Sequence, residues 1–317
     1  MTDKPHDPDH PAIVAEGVTV RYGDKTAVNN VDFQVGVGEI VGLIGPNGAG
    51  KTSLLECVEG LRKPASGTIS VFGVDPLRNR TAMAAVAGVQ LQDSAYPPRV
   101  RVDELCRLFA GFYSDAADYS TLLKQFELSE HHKAQVTKLS GGQRQRLSLA
   151  LALIGNPTIV FLDELTTGLD PEARRMVWNG LRERNDAGLS IVLTSHHMDE
   201  VEYLCDRVSV MVEGRFVDTG TVAELIERHA SATRIVVERG ASDTGLRDEL
   251  AAMGSPVSAT TAGTRMHIDV DDTELATTID RLLSDRGLSS RRTTSSMDDV
   301  YVALTSESTQ TTTVEGK

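Results

Sequence analysis

Residues 45–52 read Gly45-Pro46-Asn47-Gly48-Ala49-Gly50-Lys51-Thr52 and satisfy G-x-x-x-x-G-K-[ST] at every defined position. Glycines let the backbone wrap closely and turn its N–H groups onto phosphate oxygens. A helix opening near Lys51 adds a favourable dipole. Lys51 can reach the outer phosphates of a nucleoside triphosphate, and Thr52 can offer its hydroxyl to Mg²⁺. Ser53 follows in the same helix start and joins the phosphate-binding set. Downstream, Ile159-Val160-Phe161-Leu162-Asp163-Glu164 is an apolar run ending in two acids. Asp163 suits the magnesium shell, and Glu164 suits the orientation and polarisation of an attacking water as general base. Alone, such an acidic pair also describes a surface turn; the phosphate loop upstream gives it a task. A third segment, Ser140-Gly141-Gly142-Gln143, leads into an apolar helical run and makes a second helix start able to bind an anion. One nucleotide does not need two such cradles from one subunit.

These groups need elements to position them. Glu39 to Ile44 reads as a buried strand delivering the phosphate loop, and the helix after it runs to about Gly60. Residues 158–162 and 190–194 are continuous apolar runs of the kind found in central parallel strands. Residues 208–212 read as an edge strand paired with 215–218. Ahead of the loop, short β-type runs over residues 12–37 alternate with Gly and Asn turns, which predicts an antiparallel patch. Residues 93–156 are helix-rich, with Leu105, Leu108, Phe109 and Phe112 near helical spacing. After about Ala230 Thr, Ser and Asp become common. Alternating strands at 234–238 and 265–270 and helical stretches at 243–253 and 272–286 predict a small α+β domain over 233–305. Residues 1–11 and 306–317 are expected to be disordered tails.

Composition narrows the class. The chain has 317 residues and a formal net charge of −13, which gives no electrostatic help in binding phosphate backbones, so no nucleic-acid partner is expected. Cys57, Cys106 and Cys205 show no C-x-x-C pairing and read as reduced thiols. No run approaches the ~18 apolar residues that a spanning helix needs.

Leu139-Ser140-Gly141-Gly142-Gln143 matches without a mismatch the LSGGQ signature of the ABC ATPases, and the resemblance covers about residues 12–225. Thr166-Thr167-Gly168-Leu169-Asp170 and Ser195-His196-His197-Met198-Asp199-Glu200 also resemble that family. The resemblance implies an α/β fold: a P-loop ATPase core at 12–232 with antiparallel β and helical subdomains. It implies an ATPase using ATP and Mg²⁺, in which Ser140, Gly141 and Gly142 of one subunit close over ATP held by Lys51 of a second, head to tail. By the same resemblance Tyr22 stacks on adenine, Gln92 touches Mg²⁺ and the water, His196 senses the γ-phosphate, and Asp170 links the two sites. Gln90 is a nearby rival to Gln92, and His197 to His196. One departure stands out: the family's proline after the catalytic glutamate is here Leu165, which restores an N–H and frees the turn.

The resemblance also implies an integral membrane permease as a separate chain, docking on a surface that includes residues 92–102. The chain would then sit peripherally at the cytoplasmic face of the cell membrane. Residues 297–305 resemble the C-terminal domain of daunorubicin-resistance-type ATPases, which implies export of a drug-like or other hydrophobic compound; the same residues also read simply as an amphipathic helix packing on its own domain. Two alternatives remain at this point: an ABC ATPase acting on a non-membrane partner, and a regulatory module that binds ATP without cleaving it.

Overall fold

A computed structural model of the chain describes residues 11–90, 96–97, 99–231, 233–238, 245–253, 257–262, 265–270 and 272–311. It separates into two compact units that divide between Val222 and Ala223.

In the first unit, Ile13–Tyr22 and Lys25–Val35 form an antiparallel hairpin, closing where Tyr22 pairs with Lys25. Ser66–Val71 adds a third antiparallel strand on the other side of Ile13–Tyr22. Alternation sorts most of the hairpin residues: Ile13, Ala15, Val18, Val20, Val28, Val31, Phe33 and Val35 are buried, while Val14, Glu16, Thr19, Asp32 and Gln34 between them are more open. The apolar side belongs to one core with Leu54, Leu55 and Val58 of the helix Lys51–Val58 and with Val41, Leu43 and Phe161 of the larger sheet.

That larger sheet has the order Ala87–Gln90, Ile159–Asp163, Ser190–Thr194, Ile40–Ile44, Arg207–Val212, Arg215–Gly220 among the described residues. All neighbours run parallel except the last pair, which is antiparallel. The expected edge pair of residues 208–212 with 215–218 is formed by Arg207–Val212 and Arg215–Gly220, the latter being the outermost strand at that end of the sheet. Ile40–Ile44, Ile159–Asp163 and Ser190–Thr194 are buried along their whole length. Elements cover both faces of such a strand, so its sequence is continuously apolar instead of alternating. Because these strands are parallel, the loops that begin at Gly45, Glu164 and Ser195 leave the same end of the sheet, where α/β folds bind ligands. Between the strands Ala87–Gln90 and Ile159–Asp163 the chain forms the helices Val102–Ala110, Tyr119–Gln125 and Gly141–Leu153.

The second unit holds the sheet order Val257–Ala262, Arg265–Val270, Thr233–Glu238, Ser290–Thr293, all antiparallel. With the helices Leu246–Ala252 and Thr273–Asp285 this is a βαββαβ arrangement. Ile235, Val237, Met266, Ile268 and Val270 pack with Leu246, Leu250, Ile279 and Leu283 in its core. On the other sheet face Arg234 pairs with Asp269 and with Asp299 of the helix Met297–Thr311. That helix corrects the expected tail at 306–317, since it continues to Thr311. Ser and Thr are only modestly poorer helix formers than Ala, so a helix anchored by buried Met297, Val300 and Leu304 extends through them. Residues 1–10 and 312–317 of the expected tails lie outside the described residues. Among the described residues no helix is long and apolar enough to cross a membrane. All three cysteines are free and buried; burial pushes the Cys57 thiol up to about 11 and Cys106 up to about 12, which leaves them inert.

Candidate functional site

The phosphate loop turns back on the sheet tightly enough to exclude side chains. A Cβ on Gly45 would lie 2.0 Å from the Met211 carbonyl oxygen, and one on Gly50 would lie 2.2 Å from that of Ala27. Both also have positive φ, 148° and 109°, where only glycine is comfortable. Gly50 caps the helix Lys51–Val58, so the first free amides of that helix open onto the loop. A cleft of about 280 Å³ forms there. Of the residues singled out in the sequence, Asn47, Gly48, Ala49, Gly50, Lys51, Thr52 and Ser53 line it from the loop and helix, and Tyr22 lines it from the hairpin. Asp163, Glu164 and His196 line it from the ends of two parallel strands. Gly45 and Pro46 stand behind the cleft, their carbonyls accepting from Lys51 Nζ at 2.7 and 3.1 Å. Burial holds the Lys51 ammonium below its ordinary pKa, while the charges of Glu164 and Asp163 pull it back up.

Asp163 ends its strand and pairs in register with Thr194, whose hydroxyl donates to the Asp163 carboxylate. Burial pushes the Asp163 pKa up and the Glu164 charge adds to this; Thr194, Lys51 and His196 oppose them. Glu164 sits at φ +49°, the left-handed region that non-glycine residues seldom occupy. Its N–H is shared between the Thr194 carbonyl at 3.2 Å and the Thr194 hydroxyl at 3.1 Å. Glu164 Oε1 meets His196 Nε2 at 3.0 Å. Leu165 is buried and its carbonyl accepts from Gln145 Nε2 at 2.9 Å. The turn that lacks a proline is therefore pinned by Thr194 before it and by Gln145 after it.

Tyr22 is partly exposed; its hydroxyl lies 3.0 Å from Ser53 Oγ, and the Arg62 guanidinium lies 4.5 Å over its ring. Ser140 caps the helix Gly141–Leu153 in a reciprocal box: Ser140 Oγ accepts from the Gln143 N–H at 3.1 Å, and Gln143 Oε1 accepts from the Ser140 N–H at 2.9 Å. Asp170 caps the helix Pro171–Asp186 by accepting from Ala173 at 2.9 Å. Neither Ser140, Gly141, Gly142, Gln143 nor Asp170 lines the cleft of its own chain. Gln92 lies outside the described residues. Its rival Gln90 is buried within the sheet and does not line the cleft. The two adjacent histidines part ways: His196 reaches Glu164, and the His197 N–H is held by Ser195 Oγ at 3.0 Å.

Sequence reasoning missed several residues. Lys25 and Ala27 line the cleft; the hairpin Tyr22–Lys25 was the only available signal for Lys25. Gln145 reaches the Glu164 turn from the signature helix, a tertiary contact with no local mark. Glu200 is buried and accepts from Trp178 Nε1 at 2.9 Å and from Ser195 Oγ at 2.5 Å, which fixes the turn that carries His196.

Comparison with known proteins agrees with this geometry. The ABC transporter family profile matches residues 28–167. A Nod factor export ATP-binding protein I of Burkholderia orbicola is 39% identical over 92% of this chain and 96% of its own. A daunorubicin resistance ATP-binding protein of Streptomyces coeruleorubidus is 34% identical over 93% of this chain and 96% of its own. Among solved structures, an ATP-binding subunit of an ABC transporter superposes with a TM-score of 0.64 at 26% identity, over 68% of this chain and 92% of that one. A dimeric bacterial ABC transporter cassette shares the fold, with a TM-score of 0.60 at 24% identity over 66% of this chain and 98% of that one. With its phosphate loop, paired acids and serine-capped signature helix set in a fold that these relatives share along nearly their whole length, the chain belongs to the ATP-binding subunits of the ABC transporter family.

Proposed function

We propose that this chain binds ATP in the Lys51 cleft, hydrolyses it with Glu164, and so drives export through a separate membrane permease. The observation that carries the reading is the meeting of Lys51, Asp163, Glu164 and His196 in one cleft, with Glu164 and His196 3.0 Å apart. Lys51 neutralises the β- and γ-phosphates, and the amides of residues 48–53 bind their oxygens. Glu164 accepts a proton from the water as it attacks the γ-phosphorus; ADP and inorganic phosphate leave. His196 holds Glu164 Oε1 in place and faces the γ-phosphate side of the cleft. Tyr22 offers adenine the ring face that Arg62 does not cover. Thr52 and Asp163 would hold magnesium, which supplies positive charge to the transferring oxygens when bound, with Gln92 as a further ligand by family resemblance. The donor set fits this ion, which takes hard oxygen ligands from few side chains and completes its shell with water and substrate phosphate.

Ser140 and Gly141 are exposed and are not among the residues that line the cleft of their own chain. The reading that uses them is a head-to-tail pair of chains. Ser140, Gly141, Gly142 and Gln143 then cover ATP held by Lys51 of the partner subunit, and Asp170 joins the two sites. Closure of the pair is transmitted to the permease, docked around residues 92–102, as a rigid-body movement. The names of the relatives, a Nod factor export ATP-binding protein and a daunorubicin resistance ATP-binding protein, support export; on the family resemblance the cargo is a drug-like or other hydrophobic compound and the chain sits peripherally on the cytoplasmic face. Steady-state ATPase assays test the chemistry: Glu164→Gln should lower turnover by at least ~100-fold while ATP still binds. Equal rates in the two proteins would remove Glu164 from its role. Transport that runs only inward in membrane vesicles would overturn export.

A further inference from the structure

The signature helix carries an anchor that its motif does not contain. Gln143 Nε2 lies 2.9 Å from Nε2 of His131, on the short 3₁₀ turn Ser129–His131. Gln143 Oε1 already accepts from the Ser140 N–H at 2.9 Å. That backbone donor fixes which way the amide faces, because an N–H can meet only the carbonyl oxygen. The amide NH₂ therefore points at His131, and His131 Nε2 can only be an acceptor, with its ring neutral and the proton on Nδ1. Three groups thus act as a relay: the His131 lone pair orients the Gln143 amide, the amide holds the Ser140 N–H, and the Ser140 hydroxyl takes the Gln143 N–H at 3.1 Å. With its oxygen so engaged, the Ser140 O–H remains as a donor.

We propose that His131 is a positioning residue for the signature, setting Ser140 to receive a phosphate oxygen through an acceptor nitrogen that must stay unprotonated. This rests on the head-to-tail reading for its functional consequence, but the relay itself is a property of the single chain. A donor at position 131 would face the amide NH₂ with a second donor. The amide would then have to rotate, which strips the Ser140 N–H of its acceptor and opens the capping box.

The test uses the full chain with four side chains at position 131: His, Gln, Phe and Lys. Gln supplies an acceptor, Phe the shape without a lone pair, and Lys a donor only. Amide hydrogen exchange without nucleotide reads the relay directly. Protection at Ser140 and Gln143 should be kept in His131→Gln, fall roughly fivefold in His131→Phe, the scale of one lost helix-cap bond, and fall further in His131→Lys. MgATP-driven self-association in the Glu164→Gln background should follow the same order, while ATP affinity at the Lys51 cleft, measured at concentrations where the chain stays monomeric, is the same in all four. Equal protection across the series, or Gln failing as badly as Phe, overturns the relay. If exchange follows the series but MgATP brings no chains together even with His131 intact, the relay stands and the head-to-tail reading fails.

Discussion

Glu164 and its neighbours show how much of this site depends on contacts between distant residues. Its left-handed backbone is held by Thr194 through the N–H and by Gln145 through the following carbonyl. Gln145→Ala should therefore lower turnover several-fold with little change in ATP affinity, measured as kcat against KM; a change confined to KM would show that it acts on binding. Glu59 gives a second test at this scale. It is buried at the end of the phosphate-loop helix, and burial, reinforced by the charges of Asp163 and Glu56, pushes its carboxyl from 4.5 to about 8. Below pH 4.5 both the folded and unfolded chains carry the proton. Between 4.5 and 8 the folded chain binds the proton more tightly, so its contribution to stability falls as pH rises. Glu59→Gln should hence raise the melting temperature at pH 8 and change little at pH 4. The phosphate-loop residues, the two acids and the signature were legible because their spacing is local and specific. Gln145, Glu200 and Glu59 were not, because each matters through a partner or a burial that only the folded chain creates.

Elements were legible where burial writes a periodic signal. Ile40–Ile44, Ile159–Asp163 and Ser190–Thr194 are short, buried along their length and apolar except at the terminal Asp163, Ser190 and Thr194. Ser290–Thr293 could not be found the same way: its four residues are Ser, Arg, Arg and Thr on the edge of a sheet, without an apolar position. Ala87–Gln90 is a four-residue strand with a glycine, set by pairing with Ile159–Asp163 and by the space that Gly88 leaves for the Ala152 carbonyl. Two substitutions probe the elements that aim the site. Gly50→Ala should cost more than about 3 kcal/mol, through left-handed strain plus a methyl against the Ala27 carbonyl, and should abolish nucleotide binding. Ser140→Ala should cost only about 1 kcal/mol in chemical denaturation, the price of one helix cap. It should nevertheless weaken ATP-driven association by more than that stability loss accounts for, since the same hydroxyl is to meet the phosphate. A loss limited to the cap energy would leave Ser140 as a structural cap alone.

At the scale of the whole molecule, each compact unit has its own buried core. In the second unit Arg234 stands between Asp269 and Asp299, with side chains only 23%, 15% and 12% exposed. Removing the guanidinium leaves two poorly hydrated carboxylates without their cation. Arg234→Ala should destabilise this unit by about 3–5 kcal/mol, seen as a shifted unfolding transition in calorimetry, with the Lys51 cleft still binding ATP. The larger assembly is where the sequence motif points furthest beyond one chain: a serine-capped helix start that serves no cleft of its own. The most direct measurement is a structure of the Glu164→Gln chain with MgATP. It should show two protomers related head to tail, with Ser140 Oγ within hydrogen-bonding distance of the γ-phosphate that Lys51 of the partner subunit holds. A monomer in that state, or a pair joined with Ser140 far from either triphosphate, would contradict it.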